Sequence, residues 1–155
     1  IPMNETDLRV MELASQGFCC SQIMLIMGLE AQGRDNPELV RAVNGLCAGL
    51  GRMDDACGVM TGGVCLLSLY SGRGTAQEER HTRFPKLLDE FVTWFKEDAC
   101  AGFCGSRCID IVGEEGPAPK PEICGPLVAR AFEKAVAILA ENGFDPAQPK
   151  EGQHA

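Results

Sequence analysis

Between residues 4 and 16, Leu8, Met11 and Ala14 fall at helical spacing on one face and Gly17 supplies a stop, which predicts an amphipathic first helix. A second helix is expected from residues 20 to 30. From 37 to 50, Leu39, Val40, Val43, Leu46 and Leu50 recur at the same period behind Asn36 as N-cap and Pro37 at the first helical position. The apolar stretch from 56 to 70 is too long for one strand and reads as a fourth helix. Residues 75–98 turn from polar to amphipathic, with Leu87, Leu88, Phe91, Trp94 and Phe95 in one stripe, and Pro85 is expected to kink or divide that helix. The last helix runs from 121 to 142 on Leu127, Val128, Ala131, Phe132, Ala135, Ile138 and Leu139, with Gly143 just past its end. Residues 101–121, rich in glycine and proline and carrying Glu114 and Glu115, form a long irregular connection of the kind that serves function. No strand period and no internal repeat occurs. The expected fold is therefore all-α, one domain of about five to seven helices with one long Gly/Pro-rich loop, a core over 5–142 and a frayed tail over 145–155.

A hydrophobic fraction of 45% in 155 residues is enough for one core without disulfide staples. The net charge of −8 comes without any basic stripe, which argues against nucleic acid as a partner. The longest apolar run, residues 23–27, is far short of the roughly 20 residues that span a bilayer. Nine cysteines cannot all pair within one chain, and no charged-then-apolar leader opens the sequence. The expected setting is a reducing cytoplasm, where cysteine-rich chains bind metal or do redox work. Homo-oligomerisation stays open.

The cysteines carry the candidate chemistry. Cys20, Cys57, Cys108 and Cys124 each fall in a predicted first turn, where unpaired backbone N–H groups and the positive end of the helix dipole favour a thiolate. Gly58 and Gly62 lie four apart in a helix interior, at a cost of about 1 kcal/mol each relative to alanine, so a close neighbour is expected there. That neighbour is either another helix in a tight crossing or a cofactor-bearing face. Cys100, Cys104 and Cys108 share one spacing, but Gly102 and Gly105 argue against a helix that would align them. Short ferredoxin, zinc-finger and haem spacings are missing. Cys47 and Cys65 sit on apolar faces and read as core filler, as do the methionines. Cys19 reads as a bystander of Cys20, and His81 as solvated surface. No serine–histidine–acid set or carboxylate pair stands out, so an electron-transfer or accessory protein is expected more than a stand-alone enzyme.

The runs Gly17-Phe18-Cys19-Cys20-Ser21-Gln22, Gly49-Leu50-Gly51-Arg52 and Cys57-Gly58-Val59-Met60-Thr61-Gly62, followed by Cys108 and Cys124, resemble the C-GCAxxG-C-C family of redox-active proteins. The likeness covers about residues 5–142. Val59 stands where that family commonly has alanine, and Cys47 where it has glycine. The resemblance implies a small helical protein whose four cysteines are Cys20, Cys57, Cys108 and Cys124; this chain's own residues add Cys100, Cys104 and Cys47 as candidate further thiols and, by their spacing, Gly58 and Gly62 as the candidate face for a cofactor. A relation to the cluster-binding part of split-Soret-type cytochromes favours an iron–sulfur cluster, most simply [2Fe–2S], exchanging electrons with a partner oxidoreductase. Thiol–disulfide chemistry without metal, with Cys57 as nucleophile, is a second expectation. A structural zinc site or a metal-free helical adaptor is a third. The four sulfurs should converge with the 101–121 loop folded over them. Disulfides in oxidised protein are expected within this set or with Cys100 and Cys104.

Overall fold

A computed structural model of the chain describes residues 2–115 and 119–150. Residues 116–118 of the expected loop and 151–155 of the expected tail lie outside the described residues. Helix α1 (Glu5–Ser15) starts at Asn4, whose side chain accepts the Asp7 N–H at 2.9 Å while the Asp7 carboxylate accepts the Asn4 N–H at 3.0 Å. Gly17, at φ +93°, turns the chain into α2 (Cys20–Ala31). Asn36 caps α3 (Pro37–Ala42) through the Leu39 N–H. A 3-10 turn (Val43–Leu46) and a single turn, α4 (Cys47–Leu50), follow. Next come α5 (Gly58–Ser71), α6 (Phe84–Trp94), a π turn (Phe95–Ala99), α7 (Cys108–Val112) and α8 (Pro121–Glu141). The protein is all-α, as its periodicity predicts.

The centre of the bundle is the α2/α5 crossing. Helix α2 buries residues on all sides, including Met24 and Leu25, and α5 buries Leu66, Leu67 and Tyr70. Glycines let the two backbones meet. A Cβ on Gly62 would lie 2.8 Å from Ser21 Cα, and one on Gly28 would lie 2.8 Å from Leu66 Cγ. The Phe91 ring fills the space beside Gly63, bringing α6 onto α5. Helix α8 closes the bundle against α1 and α5.

Several expectations change. Leu8 and Met11 of α1 are 56% and 57% exposed, and Val10 and Leu13 make the buried face. The helix carries two apolar stripes, and α8 covers the second. Met3, like Met11, lies outside the core. The helix expected over 37–50 ends at Ala42 and gives way to the 3-10 turn and an extended Cys47 at ψ 151°, after which Ala48, Gly49, Leu50 and Gly51 all take left-handed φ of 54° to 73°. Pro85 begins α6 instead of kinking a longer helix, since its missing N–H costs nothing in a first turn. The 101–121 connection contains α7 and is pinned by backbone pairing described below. Residues 145–150 dock instead of fraying: Tyr70 Oη donates to the Pro146 carbonyl at 2.8 Å, and Lys150 Nζ donates to the Glu79 carbonyl at 2.6 Å. His81 is exposed, with its ring 4.7 Å from that of Phe144.

Candidate functional site

Four helix starts meet at one end of the α2/α5 crossing. Cys20 is the first residue of α2, Cys57 the N-cap of α5, Cys108 the first residue of α7, and Cys124 lies in the first turn of α8. Backbone pairing between the segment before α5 and the one before α7 holds two of them in register. The Cys57 N–H donates to Ser106 O at 3.2 Å, the Cys108 N–H to Asp55 O at 3.0 Å, and the Ile109 N–H to Met53 O at 2.7 Å. Buried Gly49 makes room for this pairing, because a Cβ there would lie 2.7 Å from Asp55 O and 3.0 Å from Cys108 Cβ. Arg107 and Asp110 close the start of α7 with an ion pair at 2.9 Å.

All four cysteines line one cavity of about 40 Å³, together with Cys19, Cys47, Gly58 and Ala48. A Cβ on Gly58 would stand 2.5 Å from Cys20 Sγ and 3.0 Å from Leu46 O, so the absence of a side chain there serves both the helix crossing and the thiol. Cys57 and Cys108 are buried, while Cys20 and Cys124 are half-buried. These last two also border a larger apolar groove of about 320 Å³ between α1 and the start of α8.

The helix-start position does not make these groups thiolates in the metal-free protein, which corrects the expectation. Burial pushes Cys57 up to about 12 against the offsetting N–H groups of Val59 and Met60, and the nearby Cys20 and Cys108 add to the rise. Burial, then Cys124 and Cys20, pushes Cys108 up to about 11. Burial also raises Cys20, partly countered by the N–H groups of Ala48 and Ser21, and raises Cys124, partly countered by the Lys120 backbone. Removal from water outweighs the dipole and hydrogen bonds until a cation enters.

The chemistry of this donor set is narrow. The space suits a few small atoms. Among the described residues, no three His, Cys, Asp or Glu side chains lie close enough together to hold a single metal ion. Cys100 is buried in the hydrophobic core and Cys104 is exposed, and neither lines the cavity. Cys65 packs beside Leu25 and Leu29.

One pair escaped the sequence reading. Cys19 and Cys47 form a disulfide with their Cα atoms 6.1 Å apart. Cys19 is therefore no bystander and Cys47 no mere filler, and the disulfide uses none of Cys20, Cys57, Cys108, Cys124, Cys100 or Cys104. The signal for it lay in Cys47 replacing a glycine of the resembled pattern and in the doubling of Cys19 and Cys20, both beside helix ends.

No helix among the described residues is long and apolar enough to cross a membrane. No curated protein and no solved structure matches the chain. A family profile described as "Putative redox-active protein (C_GCAxxG_C_C)" matches residues 18–138. That span takes in the whole cysteine cavity, and the chain belongs to the C_GCAxxG_C_C family of redox-active proteins.

Proposed function

We propose that Cys20, Cys57, Cys108 and Cys124 hold an iron–sulfur cluster, [2Fe–2S] in the simplest case, and that the protein carries electrons to or from a partner oxidoreductase in the cytoplasm. The observation that carries this reading is the convergence of four thiols from four separate helix starts on one cavity of inorganic size. Such a group, when bound, supplies one-electron chemistry. The chain's part is to provide four sulfurs, backbone N–H groups of Ala48, Val59 and Met60 directed at them, and apolar walls that limit water. Half-buried Cys20 and Cys124 make the side nearest solvent and so the natural exit for an electron.

The raised thiols argue against the same four cysteines acting as free nucleophiles in thiol–disulfide exchange near neutral pH. The test is anaerobic reconstitution followed by iron and acid-labile sulfide analysis and visible spectroscopy. Brown protein with both elements is expected, lost on Cys→Ser change at any of the four and kept in Cys65→Ser. Colourless, iron-free protein after reconstitution overturns the reading, and one zinc in its place supports the structural-metal alternative.

A further inference from the structure

The Cys19–Cys47 disulfide is separate from the four-thiol set but lines the same cavity, and Cys19 also borders the larger groove. Cys19 is the N-cap of α2 and Cys47 follows the 3-10 turn that begins at Val43, and both are half-buried. Their Cα separation of 6.1 Å lies in the range that a disulfide spans without backbone movement. Each sulfur also has a neighbour suited to a free thiol. Gln22 Oε1, which accepts the Cys19 N–H at 3.3 Å, also lies 3.3 Å from Cys19 Sγ, and its second lone pair is placed for an S–H there. Asn44 Nδ2 donates to the same sulfur at 3.5 Å. Ser21 Oγ lies 2.8 Å from Cys47 Sγ while giving its own proton to Val43 O at 2.8 Å, which leaves its lone pairs for an S–H on Cys47. Hydrogen-bonding groups are in place for both the oxidised and the reduced pair.

We propose that Cys19 and Cys47 form a second redox centre, a reversible dithiol/disulfide couple that exchanges two electrons with an external dithiol beside the four cysteines. A thiolate of the external dithiol bonds to Cys47 Sγ as the Cys19–Cys47 bond breaks. Cys19 departs as a thiolate that meets the Asn44 amide and the Gln22 N–H in the first turn of α2. The second sulfur of the external dithiol then closes that molecule's own disulfide and releases Cys47. The external dithiol is oxidised by two electrons, the pair is reduced, and the two protons of the dithiol end on Cys19 and Cys47. The couple stands whether or not the inner thiols bind a cluster, so metal-free protein tests it separately.

The experiment equilibrates the metal-free full chain with graded ratios of reduced to oxidised dithiothreitol, traps thiols with iodoacetamide and maps them by mass spectrometry. Far-UV circular dichroism follows the fold at each ratio. The expected result is that Cys19 and Cys47 pass together from linked to doubly alkylated at one midpoint with a two-electron slope, under an unchanged helix signal, and relink on reoxidation. A link that opens only as the helix signal collapses marks a structural staple and overturns the proposal. So does a pair already alkylated in the fully oxidised protein, or a Cys19 or Cys47 joined to another cysteine. Cys65→Ser, which leaves both sulfurs in place, should not move the midpoint, and a shift there would also count against an independent pair.

Discussion

Gly58 and Cys20 approach so closely that a Cβ on the glycine would lie 2.5 Å from the cysteine sulfur. Gly58→Ala therefore displaces the sulfur from the cavity, because Leu46 O and Cys47 Cα, at 3.0 and 3.3 Å from that Cβ, bar the other directions. Overpacking costs about 1–3 kcal/mol, and better helix propensity returns about 1 kcal/mol of it. The expected outcome is a small drop in the urea midpoint with a large drop in iron and sulfide after reconstitution. Gly62→Ala should do the reverse, since its Cβ meets Ser21 Cα at 2.8 Å, backbone that cannot swing aside. Full iron retention by Gly58→Ala would contradict the role given to this contact.

Ala48 carries a second constraint. Its φ of 54° is left-handed, and its N–H is directed at Cys20 Sγ. A non-glycine residue there costs roughly 1–2 kcal/mol. Ala48→Gly should be neutral or stabilising by up to about 1 kcal/mol, once the greater freedom of the unfolded chain is subtracted. Ala48→Val, with a branched Cβ in the same conformation, should lower the denaturant midpoint clearly and weaken cluster retention with it. Equal midpoints for the glycine and valine variants would show that this turn relaxes without cost.

The two stripes of α1 predict opposite responses. Leu13 is 1% exposed, so Leu13→Ala should cost about 2–5 kcal/mol through lost burial and the cavity left behind. Leu8→Ser and Met11→Ser, at positions more than half exposed, should stay within about 0.5 kcal/mol of the parent. Chemical denaturation of the three variants checks this, and a destabilised Leu8→Ser would restore the face first expected from the spacing.

Local signals in the chain predicted the helix starts well. Asn36 caps α3 with Pro37 at its first position, as the sequence indicates, and Cys20, Cys57, Cys108 and Cys124 lie at or within the first turns of their helices. What stayed hidden depends on distant partners. Nothing local distinguishes the Leu8/Met11 stripe from Val10/Leu13, because the choice is made by α8, more than a hundred residues away. The left-handed run over 48–51 hides behind Ala48 and Leu50, residues that seldom take left-handed φ. The Cys19–Cys47 link joins positions 28 apart, and connectivity among nine thiols cannot be read from spacing. Ionisation was misjudged for a related reason: the helix dipole is visible in a sequence, whereas burial of the sulfur is a property of the assembled bundle.

That burial gives a pH dependence of definite sign. In the unfolded chain Cys57 and Cys108 ionise near their usual 9.0, whereas in the metal-free fold burial raises them to about 12 and about 11. Above pH 9 the native state therefore keeps protons that the unfolded state has given up. Stability is full below the unfolded value and falls as pH rises through the folded ones. The urea midpoint of reduced, metal-free protein should decline between pH 9 and 12, and Cys57→Ala should remove the part of the decline that extends furthest. Metal uptake runs the other way, because thiols must lose protons to become ligands. Reconstitution should grow more efficient with rising pH and should acidify a weakly buffered solution as iron enters. Rapid alkylation of Cys57 and Cys108 by iodoacetamide at neutral pH, together with a midpoint that stays flat above pH 9, would show that these sulfurs are already thiolates and that burial does not govern them.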